Sequence, residues 1–472
     1  MKKKILAALA GLLSFNILSA LELVPTRELL ALYLEQDSDL KNLGLELQKA
    51  KLNEESNQID KGFSLKLSTG DMTFTFGDNN SFSVKPGVNA SFPQLNNLGL
   101  NVNSQFSVNE GKTSFDSAGA SLSVDIISSS KANRDINLLQ QERKVLEAER
   151  NIRTRALDKE KSFYKNISSL LNSITSVLSK KSSVFDDNVA FEKIKLQGYT
   201  ADSPSYIKAE LKLFSSQRDY EAAVHSLIND YKAFYISCGK EIEIPEDLDF
   251  TLLIPADIGQ VEPLDITSFD KNSYKDIESI LWTQKINQMT RDASTKLTLT
   301  ANGGYSYRNN NGRASNTVNA GLSASYEGLG LNASVNLPVA SSSSPSLTVG
   351  LTYSPNTFRK NEISDQLTQI AIEQEESKVA AASSAYDTAV KERQLKLEDL
   401  LWNIQTNETN YQMYKNVENN MSSYYERGLV SQKDYVSAQN STVQARVKQL
   451  GGFIDLIIYN NEVNAMFVGQ EN

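Results

Sequence analysis

The order of local sequence patterns recurs along this chain, and the recurrence restricts the folds that it can adopt. Helical periodicity gives way to strand alternation, then to a long helical pattern, a glycine-containing break and a return helix. The same series begins again about 230 residues later, as in a tandem repeat. We therefore predict a first repeat over 21–238, a linker over 239–270 and a second repeat over 271–472.

The first repeat begins with a capped amphipathic helix over 25–61, followed by four segments of period two within 63–127. Neither Pro nor Gly occurs over 131–197, which predicts one helix of about 65 residues, roughly 100 Å long at 1.5 Å per residue. A tip turn over 198–203 and a return helix over 204–238 follow. Both helices carry apolar rows at heptad spacing, typical of coiled coils: Phe163, Leu170, Val177 and Val184, then Tyr206, Leu213, Tyr220, Leu227 and Phe234.

The second repeat has the same parts in the same order. We predict a helix over 271–295, four strand segments within 296–354, a long helix over 358–427, a tip turn over 428–431 and a return helix over 432–468. Its long helix also has heptad rows, one of which is Leu400, Asn407, Tyr414 and Met421.

The strand segments have a length and a pattern that suit a membrane. Each has about nine to thirteen residues, close to the nine to eleven that cross a bilayer. One face is apolar, as at Leu347, Val349 and Leu351, and the other is Ser, Thr, Asn or Gly. A half-buried sheet of a soluble protein has the same alternation. The long flanking helices, the N-terminal signal and the aromatic strand ends favour transmembrane strands. The number of strand segments in each repeat is even, so the chain returns to the compartment from which it entered the membrane.

Residues 1–20 have the three-part pattern of a secretory signal peptide. A cluster of three lysines precedes an apolar run over 5–18 and the small residues Ser19 and Ala20, so cleavage is expected after Ala20. The alternative is an N-terminal membrane anchor. It is disfavoured because the apolar run is shorter than the roughly 20 residues that a membrane-spanning helix needs. The exported protein is then either soluble outside the inner membrane or embedded in the outer membrane as a β-barrel.

Composition excludes several functional classes. The net charge of -9 becomes -12 when the three signal-peptide lysines are removed, and a dispersed negative charge disfavours nucleic acid as a partner. The chain has one cysteine, Cys238, and one histidine, His225. Asp and Glu are plentiful but scattered, and no acidic pair, Gly-rich phosphate loop or nucleophile motif stands out. We therefore expect no enzyme activity, no cofactor and no metal site.

The two glycine-containing breaks resemble those of the TolC family of outer-membrane efflux proteins, and the resemblance covers essentially the whole mature chain. The matching residues are Tyr425, Gly428, Ser431, Asp434, Tyr435 and Ala438 in "YERGLVSQKDYVSAQ", and more loosely Gly198, Asp202, Tyr206 and Ala209 in the first repeat. The resemblance implies a homotrimer with one shared β-barrel in the outer membrane, continued by a periplasmic α-helical tube. It also implies a passive exit duct for a tripartite efflux or type I secretion system, with a periplasmic adaptor and an inner-membrane pump as partners.

The turn residues have expected structural roles as well. Gly428 suits a left-handed C-cap, and Ser431 suits an N-cap with Asp434 three residues later, a variant of the capping box. In the first turn either Asp202 or Ser203 is expected to cap, with Pro204 in the first helical turn.

By resemblance, the two turns form the periplasmic tip that docks the adaptor. The tip residues are Gly198, Asp202, Gly428, Leu429, Val430 and Ser431, and the candidate pore-gate residues are Asp434, Tyr425 and Arg427. Three copies of Asp434 at a constriction would attract cations and make the gate sensitive to divalent ions. The alternative role for Asp434 is a solvated carboxylate at a helix N-terminus. Ser437 stands where the family often has a second acidic residue.

The number of strand segments differs from the number that is usual in the TolC family. Two strands per repeat are usual in that family, whereas four segments are present in each repeat here. Either all eight segments of a protomer join the barrel, which we favour, or one hairpin per repeat lies outside the membrane. A periplasmic coiled-coil scaffold with a soluble sheet and no pore remains the competing interpretation of the whole chain.

Overall fold

The computed structural model describes residues 24–469 except 77–79, 247, 257, 260, 311 and 340–343, and except the side chain of residue 310. The signal peptide expected over 1–20 lies outside the described residues. The chain forms two compact units. Unit 1 contains residues 24–42, 152–269 and 389–467, and unit 2 contains 43–151, 270–388 and the last two described residues.

Seven helices are present among the described residues. Their bounds are α1 Thr26–Glu35, α2 Ser38–Asp60, α3 Ser130–Leu196, α4 Pro204–Ser237, α5 Lys275–Ala293, α6 Pro355–Glu426 and α7 Gln432–Met466. The single helix expected over 25–61 is wrong, because the chain breaks into α1 and α2 at Asp37. The Asp37 carboxylate accepts a hydrogen bond from the backbone N–H of Leu40 at 2.8 Å, which starts the second helix. No helix in the described part of the chain is both long enough and apolar enough to span a membrane.

In the described ranges, ten strands form one antiparallel sheet, which lies in unit 2. The strands are β1 Ser64–Ser68, β2 Met72–Thr75, β3 Ser81–Val84, β4 Gly87–Phe92, β5 Leu98–Asn109, β6 Lys112–Ile127, β7 Leu297–Asn310, β8 Arg313–Tyr326, β9 Leu329–Val339 and β10 Ser346–Tyr353. The first repeat thus has six strands where four segments are predicted.

Two interruptions account for the extra strands of the first repeat. Pro86 has no N–H to donate to a ladder, and it separates β3 from β4. Opposite it, Gly70 separates β1 from β2, and a Cβ there would lie 1.7 Å from the carbonyl oxygen of Lys85. Because β1 pairs with β4 and β2 pairs with β3, each of the first two predicted segments is one strand position with a break in it, and the other two are the continuous strands β5 and β6.

The sheet therefore has eight strand positions in a meander. Pairing of β6 with β7 joins the two repeats into one sheet, and β1 and β10 lie at its two ends. Strand directions alternate in this order, so the two end strands run in opposite directions.

The core of unit 1 is built from α1, α3, α4, α7 and the segment between the repeats. Phe163 and Ile174 on α3, Leu227 on α4 and Ile454 on α7 are fully buried in it. Each such side chain contributes roughly 1.5–3 kcal/mol by burial. The segment that follows α4 packs on the same core, and the Tyr231 hydroxyl donates a hydrogen bond of 2.8 Å to the carbonyl oxygen of Leu253.

Helices α3, α4, α6 and α7 contact one another through specific side chains within unit 1. α4 contacts α3, where the rings of Phe191 and Tyr206 meet edge to face 5.0 Å apart. α7 contacts α3 on another side, where Asn440 donates to the Ser182 hydroxyl at 2.5 Å. α6 contacts α7, where the Thr442 hydroxyl donates to a backbone carbonyl of α6 at 3.1 Å. α3 therefore contacts both α4 and α7, and α7 also contacts α6.

One carboxylate joins three of the elements of unit 1. Glu462 on α7 accepts from Lys161 at 2.6 Å, from Lys396 at 2.9 Å and from Arg393. Burial opposes ionisation of Glu462, but these three cations outweigh it and lower the pKa of the carboxyl to about 2. The ion pairs connect α7 to both long helices.

Candidate functional site

The second helix reversal connects α6 to α7 through a Schellman motif. The N–H of Gly428 donates to the carbonyl of Tyr425 at 2.9 Å, and the N–H of Leu429 donates to the carbonyl of Tyr424 at 2.8 Å. Gly428 has a φ of 73°, which an L-residue adopts only at a cost. The glycine in the sequence motif is thus explained by the backbone conformation that ends α6.

A complete capping box starts α7 immediately after this turn. The Ser431 hydroxyl oxygen accepts from the Asp434 N–H at 3.2 Å, and the Asp434 carboxylate accepts from the Ser431 N–H at 3.3 Å and from its hydroxyl at 2.6 Å. Hydrogen bonds from the Ser431 hydroxyl and N–H lower the pKa of the Asp434 carboxyl. Asp434 performs the function that Glu or Gln usually has in this motif.

Aromatic packing holds the two helices together next to the reversal. The rings of Tyr425 on α6 and Tyr435 on α7 stack with centroids 5.3 Å apart and planes 12° apart. Gln439 donates to the Tyr435 hydroxyl at 3.0 Å. Arg427 and Leu429 are exposed at the turn, Leu429 to 68% of its surface.

The first reversal, between α3 and α4, is similar but less regular. Gly198 has a φ of 80°, and its N–H donates to the carbonyl of Lys195 at 3.0 Å. Ser203 is the N-cap of α4, because its hydroxyl accepts from the Tyr206 N–H at 3.3 Å, and Pro204 follows at the first helical position. Of the two expected caps, Ser203 is therefore correct.

Asp202 has a different function in that turn. It is an exposed carboxylate, and a hydrogen bond with Thr200 lowers the pKa of its carboxyl. It stabilises the loop conformation and does not cap α4.

The two reversals lie at different levels along α3. Lys433, in the first turn of α7, forms an ion pair of 2.9 Å with Asp186 on α3. α3 continues from Asp186 to Leu196, which corresponds to about 15 Å of helix. The structure therefore brings Tyr425, Gly428, Ser431 and Asp434 together at one place, and it places Gly198 and Asp202 further along α3. Lys433 was missed from the sequence because a lysine beside a capping box has no distinctive spacing.

The sheet of unit 2 has two chemically distinct faces, which the strand register defines. One face, the apolar face, carries Leu, Val, Ala, Phe and Tyr in register on neighbouring strands, as at Ala301, Leu322 and Ala333. Its larger side chains are exposed in this chain, Leu322 to 41% and Leu351 on the end strand to 81%. An apolar surface of this extent requires another apolar medium or partner.

The other face, the polar face, carries Ser, Thr, Asn and Gly. Asparagines stand opposite glycines on adjacent strands: Asn103 faces Gly119, and Asn319 faces Gly304. A Cβ on Gly119 would lie 2.7 Å from the Asn103 side-chain oxygen, and one on Gly304 would lie 2.6 Å from that of Asn319. Glycine is therefore needed at these positions to make room for the amides.

A groove of about 700 Å³ lies on the polar face, and we call it the Arg308 groove. Its polar lining includes Asn103, Ser117, Arg308, Thr317, Asn319 and Asn336. Arg308 is the one charged residue among the described residues that line it. No group of three or more His, Cys, Asp or Glu in the described ranges is arranged to hold a metal ion.

Two family models together match almost the whole chain. Residues 29–258 match the TP096X N-terminal domain and residues 259–470 match the TP096X C-terminal domain. The chain belongs to the TP096X family. In this TP096X protein each domain contains one helix reversal, and the N-terminal domain contributes β1–β6 and the C-terminal domain β7–β10 to the shared sheet.

Searches of other proteins gave one negative and one positive result. No curated protein matches this TP096X chain. Among solved structures, the Campylobacter jejuni CmeC outer membrane channel is 14% identical, with a TM-score of 0.48 and coverage of 95% of this chain and 87% of CmeC. The open state of the Neisseria gonorrhoeae MtrE outer membrane channel is 12% identical, with a TM-score of 0.41 and coverage of 94% and 89%. CmeC and MtrE are both outer membrane channels.

Proposed function

We propose that this TP096X protein is an outer-membrane channel that serves as the exit duct of a tripartite efflux or type I secretion system. The observation that carries the proposal is the sheet of unit 2, because a continuous apolar face opposite a continuous polar face is the pattern of a transmembrane barrel wall. In this arrangement the apolar face contacts lipid and the polar face lines a water-filled lumen.

We propose that the wall closes between copies of the chain, since β1 and β10 are not paired with each other within one copy. The two end strands, β1 and β10, run in opposite directions, so β10 of one copy is able to pair antiparallel with β1 of the next while the apolar face stays on one side. A head-to-tail contact of this kind gives a closed ring when the rotation closes. We propose a homotrimer in which all eight strand positions of each protomer join one barrel.

The helices supply the periplasmic part of the duct. α3 and α6 have 67 and 72 residues, and each ends at one of the two reversals in unit 1. Exposed apolar side chains at these ends, Leu196 at 88% and Leu429 at 68%, suit docking of a periplasmic adaptor protein. An inner-membrane pump then supplies the energy, and the duct itself is passive.

Asp434 is the proposed gate residue, with Tyr425 and Arg427 beside it. Its hydrogen bonds to Ser431 already explain why a carboxylate stands there, so a gate function adds to the capping function. Three exposed carboxylates facing one constriction would favour cations and bind divalent ions. Substitution by Asn separates the two functions, because the amide oxygen still accepts from Ser431 while the charge is lost.

An export assay in cells tests the duct and its docking tip. Gly428→Pro disrupts the Schellman turn, and deletion of residues 428–430 removes both the turn and the exposed Leu429. For either variant we expect intact oligomers in the membrane with export abolished. A matched change, Gly451→Ala inside α7, leaves the turn untouched and should export normally. Normal export by the deletion variant would show that this turn is not the docking tip.

Detergent dependence separates the duct from the periplasmic scaffold. A lipid-facing sheet makes the purified protein depend on detergent, whereas a scaffold with an ordinary sheet stays soluble without it.

A further inference from the structure

Arg308 is the one charged side chain among the described residues that line the groove on the polar face. The strand register places it between Ser117 on β6 and Ser315 on β8, two residues before β7 ends. No carboxylate of the described residues lies within ion-pair distance of its guanidinium. The nearest acidic position in the register, Asp116, is bonded to the Ser114 hydroxyl at 2.6 Å.

The rest of the groove provides neutral hydrogen-bonding groups. Asn103 and Asn319 project over Gly119 and Gly304, and hydroxyls of Ser117 and Thr317 line the same space. A volume of about 700 Å³ is in the range of sites for small organic solutes. A planar cation surrounded by amides and hydroxyls matches a carboxylate or phosphate group carried on a polar solute.

Further cations lie at the same end of the sheet. Lys112 begins β6 and Arg313 begins β8, next to the hairpin turns, and both share the polar face with Arg308. The acidic residue of that face at the other end of β6, Asp125, accepts a hydrogen bond from Asn97 at 2.7 Å. The loop end of the polar face thus has Arg308, Arg313 and Lys112, whereas near the helix end the register places one cation, Lys66, and the carboxylate of Asp125.

We infer that the Arg308 groove is a binding station for anionic solutes at the loop end of the duct. The inference rests on the proposed function, since the groove meets passing cargo only if the polar face lines the lumen. It assigns the cargo a chemical class, polar molecules that carry a carboxylate or phosphate. It also separates two regions of the duct, a cation-attracting reversal at Asp434 and an anion-attracting mouth at Arg308.

Block of single-channel current by citrate tests the inference. The intact protein is reconstituted in a planar bilayer, and the citrate concentration that halves the current is measured for wild type, Arg308→Gln, Arg308→Lys and Arg313→Gln. We expect this concentration to rise about fivefold for Arg308→Gln. Arg308→Lys keeps the charge but loses the planar guanidinium, so its value should fall between those of wild type and Arg308→Gln. Arg313→Gln, outside the groove, should change less than Arg308→Gln.

The outcomes distinguish this inference from the proposed function. Normal channels whose citrate block is the same in wild type and Arg308→Gln would overturn the anion station and leave the duct intact. If Arg308→Gln and Arg313→Gln raised the half-blocking citrate concentration equally, the anion station would also be overturned, because the effect would then come from general surface charge. Wild-type protein that never conducts would instead overturn the duct itself.

Discussion

Ser431 and Asp434 cap the first turn of α7 reciprocally, each accepting a backbone hydrogen bond from the other. This pair explains why a serine and an aspartate stand three residues apart just after the Gly428 turn, whatever else the turn does. The role of the turn can therefore be tested by measuring the free energy of unfolding as well as by measuring transport.

Ser431→Ala removes the N-cap and should lower the free energy of unfolding by about 1 kcal/mol. Chemical denaturation followed by circular dichroism measures the change. Ser437→Ala is the control, because Ser437 is exposed in the second turn of α7, beyond the capping box, where Ala favours the helix slightly. Equal effects of the two substitutions would mean that the capping box does not contribute to stability.

Gly428→Ala should destabilise the protein by about 1–2 kcal/mol. The cause is conformational alone, since a Cβ on Gly428 would meet no atom within 4 Å while its φ is 73°. Gly451→Ala is the matched substitution: its Cβ also meets nothing within 4 Å, but Gly451 is helical. We expect that variant to be unchanged or more stable by up to about 1 kcal/mol, and a loss as large as that of Gly428→Ala would contradict the turn assignment.

Glu462→Gln leaves Lys161, Arg393 and Lys396 without their shared carboxylate and should cost about 2 kcal/mol at pH 7, after allowance for partial exposure. Because folding lowers the pKa of Glu462 from 4.5 to about 2, its contribution is complete above pH 4.5 and is lost as pH falls towards 2. The wild-type stability should therefore decline over that interval more steeply than that of Glu462→Gln.

Urea denaturation at several pH values measures this difference. Glu398→Gln, an exposed position on α6, serves as the control and should follow the wild-type curve. Parallel curves for wild type and Glu462→Gln would show that the three ion pairs are not formed in solution.

Substitutions at two adjacent residues of β8 test which face of the sheet contacts lipid. Leu322→Arg places a charge on the apolar face, and we expect a cost of about 2–4 kcal/mol and loss of assembled protein from the membrane fraction. Ser323→Arg places the same charge on the polar face and should assemble normally. Quantified membrane fractionation compares the pair, and the reverse order of effects would invert the proposed lumen.

Much of the fold was predictable because its signals are periodic. Heptad rows such as Phe163 and Leu170 give long helices, and the alternation around Leu347 and Val349 gives strands, with ends within a few residues of those observed. The break at Asp37 was missed because one side chain that caps a helix has little effect on a long apolar period. The extra strands of the first repeat were missed because Pro86 and Gly70 interrupt the ladder without ending the alternation.

The candidate site was only partly predictable, for a physical reason. Gly428 and Ser431 are local features, and the sequence contains their whole explanation. The Lys433–Asp186 ion pair and the Arg308 groove join residues distant in sequence, so no spacing indicates them. Asp202 and Ser203 were equally good caps by residue type, and only the hydrogen bond to Tyr206 distinguishes them.

Single-channel conductance of the purified protein in a planar bilayer, with and without a millimolar divalent cation, tests the account most directly. We expect discrete, cation-selective steps that the divalent ion suppresses, and Asp434→Asn should relieve the suppression while the channels still open. Unchanged block in Asp434→Asn would remove that residue from the pore. A protein that stays soluble without detergent and never conducts would contradict the duct, and the periplasmic scaffold would then be the better account.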